Sequence, residues 1–132
     1  DSTGKWFKKG ESPETKITQK LATAPTTAKV EAIANSLTLA ATSSSGNIAD
    51  EGEITLTGFA ASKNQFKVNL APATNTTATM TLTGDILKDG DVTLTSGEKT
   101  ITVTRTGTIT GKIIVEQSGK ATNTINFTIE VK

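Results

Sequence analysis

The chain contains no cysteine and no histidine among its 132 residues. Without cysteine there are no disulfides, thiol nucleophiles or thiolate metal sites, and the redox compartment is left open. Without histidine the chain lacks the commonest general base and the commonest metal ligand. Tyrosine is also missing and tryptophan occurs once, at Trp6. Neither sign of charge dominates: 14 Lys and Arg against 13 Asp and Glu leave a net charge of +1. That near-balance gives no electrostatic case for nucleic acid or for an anionic membrane surface. No apolar run approaches the ~18 residues that a membrane-spanning helix needs.

What the chain has in abundance is threonine, 27 residues of it. Threonine is β-branched and suits the wet side of a pleated sheet, where its hydroxyl meets water and its methyl covers backbone. Such a surface resembles those of prokaryotic extracellular proteins in pili, surface layers and adhesin stalks. The plainer reading is that threonine is a good strand former.

Two stretches alternate cleanly. In Lys99–Arg105, Ile101 and Val103 share a face with Lys99 and Arg105, while Thr100, Thr102 and Thr104 take the other. In the tail Asn123–Lys132, Ile125, Phe127, Ile129 and Val131 oppose Asn126, Thr128, Glu130 and Lys132. Period-two alternation means strands with one dry face and one wet face. Antiparallel sheets of that kind hide their dry faces against each other as a sandwich. Lys99–Gly107, read with the tail, is expected to be the centre of the fold.

Taken in order, Asp1–Pro13 reads as an extended arm. Trp6-Phe7 is its aromatic pair, Lys5, Lys8 and Lys9 flank it, and Gly10 and Pro13 argue against regular structure. The domain division expected is an arm over 1–14 and one sandwich over 15–132. Thr15–Leu21 places Ile17, Gln19 and Leu21 in phase as a short strand. Over Thr27–Thr42, Val30, Ile33, Ala34 and Leu37 fit a helical stripe, with Thr26 or Thr27 as N-cap. The alternative is two strands, Lys29–Ile33 and Leu37–Ala41. Strands are preferred, on the ground that the tail needs an early strand to pair with.

Further strands are expected at Glu53–Thr57, Gln65–Ala71, Thr76–Thr83, Val92–Thr95 and Thr108–Gln117. Turns fall at Ser62-Lys63-Asn64, Pro72–Asn75, Lys88-Asp89-Gly90-Asp91 and Ser118-Gly119-Lys120. Gly58-Phe59 shifts the phase and marks a bulge or strand end. In Thr108–Gln117, Ile114 points opposite to Ile113 and Val115, so this strand is expected to be buried on both sides or to cross between sheets. The total is eight or nine strands in an all-β sandwich.

The final hairpin, Lys112–Glu116 through Ser118-Gly119-Lys120-Ala121-Thr122 to Ile125–Val131, resembles the close of bacterial immunoglobulin-like surface domains. Those domains commonly end in a small-residue turn and a strand of the form apolar-x-apolar-x-apolar-x-Lys. A loose arm ahead of a cysteine-free, Thr-rich sandwich is also similar to strand-donating subunits of prokaryotic filaments. That resemblance implies that Asp1–Leu21 completes the sheet of a neighbouring subunit. The hydrophobic helix that opens a type IV pilin is missing. A chain opening at Asp1 fits a processed secreted protein or a trimmed one.

Candidate chemistry is sparse. Gly84–Asp91 brings together Asp85, Asp89 and Asp91, a carboxylate set that calcium would use, but with Lys88 among the acids and spacing unlike an EF-hand an Asp-Gly turn is the better reading. Lys16 or Lys20 with Asn126 and Glu53 matches the residue types of an intramolecular isopeptide bond, which requires all three to be buried; alternation puts Asn126 on the wet face. Asn75-Thr76-Thr77 and Asn126-Phe127-Thr128 match the N-glycosylation pattern, making Asn75 and Asn126 acceptor candidates. The acids Asp50, Glu51 and Glu53 have the residue type for glycoside hydrolysis but lack aromatic support.

The expected function is a non-catalytic structural subunit of an extracellular or cell-surface filament or assembly, with no cofactor and no metal. Its contact residues are expected to be Trp6, Phe7, Ile17 and Leu21, and its partners further copies of itself or other surface proteins. The alternatives are an adhesin or carbohydrate-binding module, or a viral or phage decoration or tail domain.

Overall fold

A computed structural model describes residues 26–119 and 122–132. The described residues form nine strands: β1 Thr27–Ala32, β2 Thr38–Leu39, β3 Gly52–Thr57, β4 Gln65–Ala71, β5 Thr77–Thr83, β6 Val92–Leu94, β7 Gly97–Thr102, β8 Gly107–Glu116 and β9 Asn123–Val131. A 3-10 turn, Ala41–Ser43, follows β2. Six strands make one sheet in the order β2-β3-β9-β8-β5-β6, and three make the other, β1-β4-β7. The apolar faces of both sheets share one buried cluster. The expected strand Thr15–Leu21 and the arm before it lie outside the described residues.

Alternation sets which side chains reach that cluster. From the larger sheet come Ile54 and Leu56, Ala78, Met80 and Leu82, Ile109, Ile113 and Val115, and Phe127, Ile129 and Val131. From the smaller sheet come Val30, Phe66, Val68, Leu70 and Ile101. Loop residues Leu37, Ile86, Leu87 and Val103 close the ends. Gly111 lies beneath the Phe127 ring: a Cβ there would sit 2.2 Å from the ring, so the glycine is what lets the aromatic lie flat on its neighbour. The pair faces across the ladder, Phe127 opposite Gly111.

Four expectations are corrected. The Lys99–Gly107 stretch is not central: Lys99–Thr102 belong to β7, which lies at an edge among the described strands, a bend follows at 104–106, and Gly107 opens β8. Alternation reports a half-buried strand but not its place in the sheet, and the flanking Lys99 and Arg105 are the signature of an edge. The central strand is the tail, β9, between β3 and β8.

The early strand does not pair with the tail either: β1 pairs with β4, and the tail takes β3 as its partner. The β3–β9 pairing is parallel, Phe127 opposite Gly52 through Val131 opposite Leu56, so the larger sheet is mixed rather than antiparallel. The long connection between these two strands permits it, where a hairpin would not. Finally, Ile114 is not buried on a second side; it is 36% exposed on the outer face among threonines. The Thr27–Thr42 segment forms β1 and β2, the strand alternative.

Candidate functional site

Sheet edges are where a β protein either protects or offers its backbone. The outer edge of β1 is covered along its middle by Gly46–Ile48: Val30 N–H donates to the Gly46 carbonyl at 2.7 Å, and Ile48 N–H donates to the Ala28 carbonyl at 3.0 Å. A side chain at Gly46 would overlap the Val30 carbonyl, which fixes glycine there. The edge of β3 is covered by β2 and the turn after it. Ala40 N–H donates to the Thr55 carbonyl at 3.0 Å, and Ser43 Oγ accepts from Thr55 N–H at 3.0 Å. The remaining edge of the larger sheet, β6, is three residues long.

The edge of β7 differs. Its far end is closed: Lys88 N–H donates to the Thr102 carbonyl at 3.0 Å, and Thr104 N–H to the Ile86 carbonyl at 2.8 Å. Thr102 therefore aims its peptide groups away from β4. By the alternation of an antiparallel ladder, Thr100 and Glu98 aim theirs the same way. No described residue pairs with them. Gly97, Glu98, Lys99 and Thr100 are all exposed, while Ile101 is buried.

The side chains along this edge are ordered by face. Ile101, Lys99 and Gly97 lie on the core side, opposite Phe66, Val68 and Leu70 of β4. Gly97 has φ +85°, and among the described residues no atom lies within 4 Å of the place a Cβ would take. On the outer face Glu98 meets Lys67 at 3.5 Å and accepts from Asn69 Nδ2 at 3.2 Å. Gln65 Nε2 donates to Thr102 Oγ1 at 3.0 Å at the other end of the same face. The result is a short strand edge carrying one acid outward and one lysine toward the core.

The other candidates fall as follows. Trp6, Phe7, Ile17 and Leu21 lie outside the described residues. Asn75 and Asn126 are exposed, Asn75 in a turn at φ +65° and Asn126 on β9. Among the described residues no group of three His, Cys, Asp or Glu side chains could hold a metal ion. Asp85 of the acidic loop faces Arg105 at 3.8 Å. Glu53 and Asn126 are both exposed, which removes the shared burial that isopeptide chemistry requires.

Asp50 and Glu51 tie the loop before β3 to the tail. Asp50 Oδ1 accepts from Asn126 N–H at 3.0 Å, and Glu51 N–H donates to the Asn126 carbonyl at 2.6 Å. A depression of about 390 Å³ on the outer face of the larger sheet is lined by Thr81, Thr83, Thr110, Gly111, Lys112 and Ile114. Sequence reasoning missed the β7 edge as a site. The signal for it was Lys99 flanking the apolar pair Ile101 and Val103 on the core face.

No family model and no curated protein matches the chain. Among solved structures, it is similar to the extracellular domain of a B. thetaiotaomicron protein described as a hybrid two-component system. The TM-score is 0.48 and the identity 18%, over 81% of this chain and 15% of that one. The chain thus spans a small fraction of the protein it resembles. No helix among the described residues is long and apolar enough to cross a membrane.

Proposed function

We propose that this chain is a non-catalytic structural subunit of an extracellular or cell-surface assembly, an immunoglobulin-like sandwich that contacts its neighbours through its N-terminal arm. The observation that carries the reading is the β7 edge. The other described edges are short or covered, whereas this one leaves the peptide groups of Glu98 and Thr100 pointing outward. Backbone donors and acceptors at an open edge pair readily with an added strand, and alternate side chains then supply selectivity. The lysine on the core side keeps the edge from joining a second β7 edge at random, since two copies would bring like charges together.

The test is electron microscopy of the purified full chain at high concentration beside a variant lacking residues 1–21. Polymers from the full chain and isolated particles from the truncated one are the expected result. Isolated particles from both would overturn the proposal.

A further inference from the structure

We infer that the Asp89–Gly90 linkage is a site of spontaneous covalent modification, where the aspartate rearranges to isoaspartate and loosens the loop that closes the end of β7. The step needs only groups of this chain and water. The Gly90 nitrogen attacks Cγ of the Asp89 carboxylic acid. A new N–Cγ bond forms, and the amide proton leaves with the carboxyl hydroxyl as water. A second water reopens the resulting five-membered imide. Breaking the new N–Cγ bond restores aspartate. Breaking the bond from that nitrogen to the main-chain carbonyl carbon leaves isoaspartate, whose backbone runs through the former side chain. No electrons are exchanged, and the composition of the chain is unchanged.

The loop leaves this bond open to attack. Asp89, Gly90 and Asp91 are all exposed. Gly90 has φ +84°, and among the described residues no atom lies within 4 Å of the place its Cβ would take. Glycine leaves the nitrogen uncrowded and allows the peptide plane to turn toward the carboxyl group. The hydrogen bond that opposes this turn, from Gly90 N–H to the Leu87 carbonyl, is 3.3 Å long, beyond the usual range for an amide donor.

The other described aspartates are guarded. Asp50 Oδ1 accepts from Asn126 N–H, and the N–H that follows it, on Glu51, is held by the Asn126 carbonyl. Asp85 and Asp91 precede Ile86 and Val92, whose branched side chains crowd the attacking nitrogen. Asparagine closes the same ring with loss of ammonia. Here the N–H after Asn35, Asn47, Asn64 and Asn75 is in each case bonded to a carbonyl or hydroxyl at 2.8–3.1 Å. The remaining described asparagines lie within β4 and β9.

What adjoins the bond gives the change its effect. Leu87 bridges Val103, and Lys88 N–H donates to the Thr102 carbonyl at 3.0 Å. The loop between β5 and β6 thereby clasps the end of β7. Isoaspartate lengthens the backbone by one carbon directly after Lys88, where the clasp is made.

The full chain is incubated at mildly acidic pH in water enriched in heavy oxygen, then digested and sequenced by mass spectrometry. Each passage through the imide leaves one solvent oxygen in the product, and isoaspartate-specific methyl transfer gives a second readout. Label at Asp89 should exceed that at Asp50, Asp85 or Asp91 at least about tenfold, the rate ratio of a modest difference in barrier. Asp89→Glu, which would have to close a six-membered ring, should lose the signal. Asp89→Asn, with a better leaving group, should give the same isoaspartyl product sooner. Amide exchange at Lys88 should run about threefold faster in the aged chain than in the fresh one, and stay unchanged in aged Asp89→Glu. In urea Asp50 and Asn75 should gain label relative to Asp89.

Label absent at Asp89, or spread evenly over the aspartates of the folded chain, overturns the inference. Equal profiles in folded and urea-unfolded chains overturn the selection by structure argued above. Isoaspartate at Asp89 with unchanged exchange at Lys88 overturns the loosening of the clasp.

Discussion

At the scale of single residues, the core is set as much by what is missing as by what is large. Gly111 is buried under Phe127, and the missing side chain is the space in which the ring lies. Gly111→Ala forces a methyl into that ring, and overpacking of this kind costs about 1–3 kcal/mol. Urea denaturation should show the midpoint falling with the slope unchanged, and Phe127→Leu in the same chain should recover part of the loss. Ser43 makes the complementary point with a polar group. Its hydroxyl is buried and accepts from Thr55 N–H, standing in for a ladder partner where β2 has already ended. Ser43→Ala leaves that amide unpartnered, a loss of about 1–3 kcal/mol. Amide hydrogen exchange at Thr55 should quicken more than at Leu56, whose neighbours are unchanged.

At the scale of the strand, alternation was a reliable guide to facing and a poor guide to position. Phe66, Val68 and Leu70 alternate in the sequence and are all buried in β4; Ala78, Met80 and Leu82 do the same in β5. Facing depends only on the strand's own period, so it is written locally. Position in the sheet depends on partners many residues away, and in Lys99–Arg105 only the flanking charges hint that the strand lies at an edge among the described strands. The parallel β3–β9 ladder was illegible for the same reason, since its partners are separated by most of the chain.

Ile114 shows the limit from the other direction. An isoleucine within an apolar triplet suggests double burial, yet the outer face of β8 is covered by nothing described, and it lies among Thr79, Thr124 and Lys112. Ile129, in the central strand, is fully buried. Ile129→Ala should therefore cost about 2–5 kcal/mol of unfolding free energy. Ile114→Thr should stay within about 0.5 kcal/mol, the ordinary range for a surface change. A chemical-denaturation series on the two variants separates them, and equal losses would mean that the outer face is covered after all.

At the scale of the whole molecule, the tail holds the larger sheet together. β9 lies between β3 and β8, and Lys132 extends the join by donating its N–H to the Leu56 carbonyl at 2.8 Å while its own carbonyl accepts from Phe59 N–H at 3.1 Å. Without β9, the β2–β3 pair has no strand joining it to the rest of the sheet, and Ile54 and Leu56 lose their neighbours across the ladder. Because Phe127 must find Gly52, the pairing that completes the core spans a long loop whose closure entropy is met before the contacts repay it. Folding should accordingly be slow for a domain of this size, in the millisecond-to-second range typical of all-β sandwiches, as read by stopped-flow tryptophan-independent circular dichroism. Ile129→Ala should mainly slow refolding if β9 docks in the transition state, and should mainly quicken unfolding if it docks last. A chain lacking residues 123–132 should show no cooperative thermal transition at all, whereas one lacking residues 1–14 should keep the full-length midpoint, because the arm's proposed contacts are with a neighbour and not with its own core.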